Sequence, residues 1–228
     1  MRLGPRFLGR LGAADAITAA NAGIGFLAAA LAPVSPALTA RLVLLGAIAD
    51  GLDGVVARHH GSTDVGWYLD SLADVATFGV APAALVCWAV LDGADPLALA
   101  PAEGALALGV PTLFVMAAVV RLGFYTAHDD GNGHTTGVPT TLAATLLAAG
   151  LLAGVAPGHL ALLALPLTYL MLTGVAYPDL YARDAVVMGA VQALALAFPD
   201  AVDGAFVYAL LAFALAYLLL APRFYWRE

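Results

Sequence analysis

Long apolar runs, broken by short clusters of proline, glycine and aspartate, dominate the chain. A helix rising 1.5 Å per residue needs about 20 apolar residues to cross a bilayer core. By that criterion the runs predict eight helices, over residues 14–32, 37–58, 66–91, 104–126, 138–156, 159–176, 184–198 and 204–222. The breaks between them include Ala32-Pro33-Val34-Ser35-Pro36, Asp92-Gly93-Ala94-Asp95-Pro96 and Pro199-Asp200, where proline removes a donor and glycine frees the backbone. No internal repeat or linker divides the runs, so residues 1–228 predict a single all-α domain, a polytopic membrane helical bundle. Ahead of the bundle over 14–222, Arg2, Arg6 and Arg10 recur every fourth residue opposite Leu3, Phe7, Leu8 and Leu11. That pattern predicts an interfacial amphipathic segment over residues 1–13.

Charge placement orients the bundle. With eight spans and a cytoplasmic N-terminus, Arg2, Arg6, Arg10, Arg58, Arg121, Arg183, Arg223 and Arg227 all fall on the cytoplasmic side. Only Arg41 falls toward the outer side, where it can snorkel. The outer loops hold Asp92, Asp95, Glu103, Asp200 and Asp203 and no basic residue. Both termini are therefore expected inside, in a multi-pass protein of the cell membrane.

Composition agrees and narrows the function classes. Some 62% of residues are hydrophobic and 11% charged, at a mean hydropathy of +0.91. Soluble domains carry about 25% charged residues, so disorder, nucleic-acid binding and an ordinary cytosolic enzyme are excluded. One cysteine, Cys87, excludes a disulfide framework and a thiolate metal cluster. All nine basic residues are arginine and fourteen of the sixteen acids are aspartate, a balance suited to a salt-rich cytoplasm.

Ionisable groups inside a span are costly and mark function. Four aspartates sit at the cytoplasmic ends of the second and third predicted helices. Asp50, Asp53, Gly54 and Ala57 share one helical face, and Gly66, Asp70, Asp74 and Thr77 form a second stripe. The short turn from His59 to Val65 makes the helices antiparallel neighbours, so the acidic faces oppose each other. Hard divalent cations with oxygen ligands would relieve the repulsion, and Mg²⁺ in such sites commonly shares its shell with substrate phosphates. Two ions can clamp a phosphoryl group undergoing displacement. Small residues at 54, 57 and 66 allow close approach of a ligand, and Arg58 offers a fork suited to phosphate.

These residues resemble the CDP-alcohol phosphotransferase motif, D-x2-D-G-x2-A-R followed by G-x3-D-x3-D. Asp50, Asp53, Gly54, Ala57, Arg58, Gly66, Asp70 and Asp74 meet all eight fixed positions, with seven residues rather than the usual eight between Arg58 and Gly66. The stretch from Asp70 to Pro82 is similar to the version of the motif found in phosphatidylserine synthases. So are Arg121-Leu122, Gly137-Val138-Pro139-Thr140-Thr141, Leu170 to Pro178, and Thr18-Ala19-Ala20-Asn21. The resemblance implies that an acceptor alcohol attacks the lipid-side phosphate of a CDP-lipid and that CMP leaves. It implies metal ligation of two Mg²⁺ or Mn²⁺ ions by Asp50, Asp53, Asp70 and Asp74, with Asp74 also the base. Gly54, Ala57, Arg58, Gly66 and Asp53 would line the CDP pocket, and Arg121, Thr77 and Asn21 would contact acceptor or phosphate. L-serine is the implied acceptor, CDP-diacylglycerol or CDP-archaeol the implied lipid, and a homodimer the implied assembly. An archaeal-type lipid suits the lysine-free composition.

Other readings compete. A sister enzyme would use glycerol phosphate or inositol phosphate, and such an acceptor calls for cations beyond Arg58, Arg121 and Arg183. A carboxylate-lined cation or proton transporter would place its acids at midplane in broken helices of two matched halves. A catalytically dead relative would have lost part of the motif. His59 and His60 read as a solvated pair, and Asp129, Asp130 and His134 as a hydrated loop or mobile lid. Tyr208, Tyr217, Tyr225 and Trp226 read as interfacial aromatics.

Overall fold

The computed structural model describes residues 8–61, 63–128 and 133–226. Within them the chain forms eight helices: α1 (Ala13–Leu31), α2 (Pro36–His60), α3 (Gly66–Leu91), α4 (Pro101–His128), α5 (Thr140–Leu152), α6 (Pro157–Met171), α7 (Ala182–Ala197) and α8 (Ala205–Phe224). All eight predicted segments are helical. The expected amphipathic segment falls mostly outside the described residues, which begin with a short 3₁₀ turn at Leu8–Arg10.

Local chemistry explains where helices begin and where they widen. Ser35 caps α2 by accepting a hydrogen bond from the Leu38 amide, with Pro36 in the first turn, where its missing N–H costs nothing. Two helices contain a π-widened turn, Val75–Val80 in α3 and Ala105–Gly109 in α4. Each precedes a proline, Pro82 or Pro111, whose ring would crowd the carbonyl four residues earlier in a regular helix. The widened turn re-routes the ladder instead: Ala81 donates to the Ala76 carbonyl and Val110 to the Ala105 carbonyl, five residues back.

By length and composition α1, α3, α4 and α8 are able to cross a membrane. The 25-residue α2 is long enough, but it carries Arg41, Asp50, Asp53 and Arg58. With 13, 15 and 16 residues, α5, α6 and α7 reach only about 20–24 Å at 1.5 Å per residue. The predicted spans over 138–156 and 159–176 are thus too long. Apolar loop residues such as Val138, Val155 and Val175 extend the hydropathy signal past the true helix ends. Enclosure by the other helices, rather than contact with lipid, accounts for the apolar character of α5. Thr140 and every residue from Leu142 to Gly150 are buried, so the other helices, not lipid, surround it. Around α5 pack α2, α3, α4, α6 and α8, with Phe78, Leu85, Phe114, Leu146, Leu147 and Leu160 fully buried between them.

One feature was absent from the all-α expectation. His134–Thr136 (β1) and Ala176–Pro178 (β2) pair antiparallel, His134 opposite Pro178 and Thr135 opposite Tyr177. This ribbon ties the start of the α5–α6 hairpin to its end. Gly137 makes the closure possible: its φ is +75°, and a Cβ there would collide with the Met171 carbonyl oxygen. Its amide donates to the Val175 carbonyl (2.8 Å) and the Val138 amide to that of Leu170 (3.1 Å). His134 therefore belongs to a strand rather than a lid, with its ring 6.0 Å from that of Trp226. Asp129 and Asp130 lie outside the described residues.

Candidate active site

The turn between α2 and α3 sets two acidic faces against each other. Asp50, Asp70 and Asp74 converge so that one carboxylate oxygen from each lies within 4.8 Å of the others. Asp74 is buried, and its Oδ1 has no hydrogen-bond partner among the described residues. A buried, unpaired carboxylate oxygen costs several kcal/mol of lost solvation (roughly, for a charged group). The donor set, three carboxylates with one oxygen orphaned, fits a hard divalent cation. Asp53 sits one turn from Asp50 and is engaged differently: the Thr18 hydroxyl donates to its Oδ2 at 2.7 Å. Thr18 thereby ties α1 to the site.

Asp74 ends the regular turns of α3, and the π-widened turn begins at the next residue. That turn pushes Thr77 between α1 and α2. Its hydroxyl donates to the Asn21 carbonyl at 2.9 Å and is fully buried. Glycines make room. A Cβ on Gly25 would lie 2.7 Å from the Thr77 amide nitrogen, and one on Gly46 would collide with Thr77 Cγ2. Thr77 is thus a wedge that sets helix spacing, and its hydroxyl donates to the backbone of α1. The Asn21 side chain is also buried. Both of its amide atoms lack partners among the described residues, and its Oδ1 faces Gly46.

The residues expected to line a CDP pocket divide in two. Arg58 is exposed and folds back over Gly54, its Nη1 lying 3.5 Å from where a Cβ would stand. Gly66 instead faces Asp15, whose Oδ1 would sit 3.1 Å from a Cβ. Asp15, missed in the sequence, is buried; its Oδ2 accepts from the Gly12 amide (2.7 Å) and the Thr63 hydroxyl (2.9 Å). The smallness of Gly66 serves this junction between the start of α1 and the α2–α3 turn. The detectable signal was an aspartate in the first turn of an apolar helix, where it satisfies an orphan amide. His59 is exposed at the end of α2, and the His60 side chain lies outside those described.

Two cavities open at this end of the bundle. One, of about 610 Å³, is lined by Asp50 and Arg58, by Thr135 and Asp179 at the ribbon, and by Gln192 and Tyr217 from α7 and α8. Tyr217 donates to the Pro178 carbonyl at 2.6 Å and Gln192 to that of Leu44 at 2.8 Å. The interfacial reading of Tyr217 is thus replaced by a structural one, and Tyr225 donates to Asp184 nearby. The other cavity, about 670 Å³, is lined by Arg121, Tyr125, His134, Thr135, Thr136 and Thr173, among others. Arg121 is buried, and Thr135 borders both cavities.

The acidic cluster is compatible with a divalent cation, and comparison with known proteins points the same way. A family model described as CDP-alcohol phosphatidyltransferase matches residues 11–170. Archaetidylserine synthase of Methanothermobacter thermautotrophicus is 31% identical over 170 residues, covering 72% of this chain and 68% of that protein. The CDP-diacylglycerol–serine O-phosphatidyltransferase of Methanocaldococcus jannaschii is 45% identical over 73 residues, 32% of this chain and 33% of its own length. Two opposed aspartate faces, continuous similarity through α6 and one enzyme chemistry among the relatives converge: the chain is an enzyme of the CDP-alcohol phosphatidyltransferase family.

Proposed function

We propose that the enzyme transfers the phosphatidyl or archaetidyl group of a CDP-lipid to the hydroxyl of L-serine, releasing CMP. The observation that carries this reading is the convergence of Asp50, Asp70 and Asp74 on one point with a buried oxygen of Asp74 unpaired. The two relatives, an archaetidylserine synthase and a CDP-diacylglycerol–serine O-phosphatidyltransferase, support the acceptor. The similarity to an archaetidylserine synthase over 72% of this chain supports CDP-archaeol as the lipid.

In this reading Asp50, Asp70 and Asp74, with Asp53 beside them, hold two Mg²⁺ or Mn²⁺ ions. Ions bound there would supply positive charge to the pyrophosphate as its bridging bond breaks. The protein does the rest. Arg58, reaching over Gly54, engages a phosphate of CDP, while Gly54 and Ala57 let the nucleotide approach α2. Asp74 takes the proton of the serine hydroxyl as its oxygen bonds to the lipid-side phosphorus. The bond from that phosphorus to the CMP oxygen breaks, and CMP leaves with the electron pair. A hydroxyl is a weak nucleophile at neutral pH, so a positioned base contributes about 10²–10⁴-fold.

The test is CMP release by purified enzyme given CDP-lipid, Mn²⁺ or Mg²⁺ and a panel of acceptors. L-serine should support it; a preference for glycerol 3-phosphate or inositol phosphate would sink the serine assignment and leave the family intact. The same reading puts all eight helices through the membrane, with both termini and the α2–α3 turn in the cytoplasm. Single cysteines at Thr63 or Asp64, in a Cys87→Ser background, should then resist an impermeant thiol reagent added to intact cells. Labelling from outside would reverse the orientation. A homodimer is the corresponding assembly, and the mass of the detergent-solubilised protein checks it.

A further inference from the structure

The family model matches up to residue 170, before β2, α7 and α8 begin. The structure nevertheless joins this last part of the chain to the wall of both cavities, and the join starts from a break in a helix. Pro222 lies inside α8 and has no N–H, so the Leu218 carbonyl four residues earlier loses its ladder donor. A buried carbonyl freed in this way needs another partner. Tyr177 of β2 supplies it: its side chain is buried, and its hydroxyl donates to the Leu218 carbonyl at 3.2 Å. The adjacent residues return the contact, the Tyr217 hydroxyl donating to the Pro178 carbonyl at 2.6 Å. The two rings lie 6.0 Å apart. These crossed bonds, between residues 177–178 and residues 217–218, fix both the position and the direction of β2 on α8.

The ribbon carries that constraint to the cavities. A ribbon of three residues per strand has little stability of its own, so an outside anchor decides where it sits. Tyr177 stands directly opposite Thr135, and opposite residues of an antiparallel pair present their side chains on one face. Thr135 borders both cavities, and its hydroxyl accepts from Arg121 Nη2 at 3.0 Å. Arg121 is buried, and its Nε has no partner among the described residues. The Thr135 contact and the Tyr125 ring, 5.5 Å from the guanidinium, therefore set where this cation points. Pro222, Leu218, Tyr177, Thr135 and Arg121 form one run of adjacent contacts, from a freed helix carbonyl to the edge of the cavities.

We propose that Tyr177 and Tyr217 are positioning residues for the transfer reaction: by clasping the proline-freed turn of α8 they set the ribbon, and through Thr135 they hold Arg121 at the cavities. The test follows CMP release from CDP-lipid with whichever acceptor the wild type uses, alongside the melting temperature in detergent. Tyr177→Phe removes one hydroxyl and should lower both the melting temperature and kcat/KM, the latter by about 3–10-fold, the worth of a hydrogen bond. Pro222→Ala separates the two effects, because it returns an N–H to the Leu218 carbonyl. In Tyr177→Phe combined with Pro222→Ala the melting temperature should return to at least the wild-type value. There kcat/KM should stay low, since β2 is still unclasped. Thr135→Val already cuts the link to Arg121, so adding Tyr177→Phe to it should cost less than about twofold more. Tyr217→Phe should lower kcat/KM in the same direction and serves if Tyr177→Phe fails to fold. Recovery of kcat/KM together with the melting temperature in the Pro222→Ala combination overturns the proposal, because the tyrosine then only mends a helix. So do independent, multiplying effects of Tyr177→Phe and Thr135→Val, or an unchanged kcat/KM in Tyr177→Phe. CMP release with an alcohol other than serine would refute the serine assignment and leave these ratios, which do not depend on the acceptor, to decide the proposal.

Discussion

Thr18 offers a sharp test because it touches the site without being one of its acids. Its hydroxyl donates to Asp53 Oδ2 at 2.7 Å, both groups are buried, and the bond joins residues 35 apart in sequence. Thr18→Val keeps the β-branched shape and removes only the donor, leaving a buried carboxylate oxygen short of a partner. A hydrogen bond to a charged group is worth about 1.5–3 kcal/mol, or about a 10–100-fold change in an equilibrium constant. Part of that loss should appear in stability. The part that matters here should appear as weaker Mn²⁺ activation and weaker CDP binding, because Asp53 is no longer held in one orientation. The assay is a Mn²⁺ titration of CMP release with calorimetric CDP binding on the same preparation, with Thr18→Ser as the control that keeps the donor. Thr18→Ser should remain within about threefold of the wild type on the same energetic grounds. If Thr18→Val binds metal and CDP as the wild type does and melts at the same temperature, Asp53 does not depend on α1 and the reasoning is wrong.

Two further expectations follow from the same geometry. Asp50→Asn and Asp70→Asn should weaken metal activation and be partly rescued by excess Mn²⁺, whereas Asp74→Asn should lower kcat by about 10²–10⁴-fold without rescue; recovery of Asp74→Asn at high Mn²⁺ would make it a ligand only. Gly137→Ala should destabilise the fold by at least about 1–3 kcal/mol, read as a lower melting temperature in detergent, because φ is +75° and the added Cβ meets the Met171 carbonyl. An unchanged melting temperature would mean the ribbon is not closed as described.

Much of this molecule is legible along the chain because two of its signals are local. Apolar runs and their breakers located all eight helices, since helix formation and proline or glycine termination depend on near neighbours. The motif likewise located Asp50, Asp53, Asp70 and Asp74, because helical spacing alone puts them on two stripes and a short turn forces the stripes together. Arg58 over Gly54 is local too, an i to i+4 contact. Helix length was less legible. Hydropathy reports transfer out of water and does not distinguish lipid from protein, so the enclosed α5 and its apolar flanking loops merge into one apparent span.

Tertiary structure decided the rest, and in each case the deciding contact joins residues far apart in sequence. Nothing near Thr18 foretells its partner Asp53, and nothing near Asp15 foretells Thr63. The three-residue strands at 134–136 and 176–178 carry too little pattern to announce themselves and exist because the α5–α6 hairpin brings them together. The sequence gives no sign that Thr77 donates to the Asn21 carbonyl or that Gly66 faces Asp15; both contacts come from packing. The family resemblance singles out Arg121 as an acceptor or phosphate contact, but only packing shows that it is buried beside an open cavity. The aspartate chemistry is written in helical periodicity, while the shape of what reaches those aspartates depends on burial and on hydrogen bonds between distant segments, which no local pattern encodes.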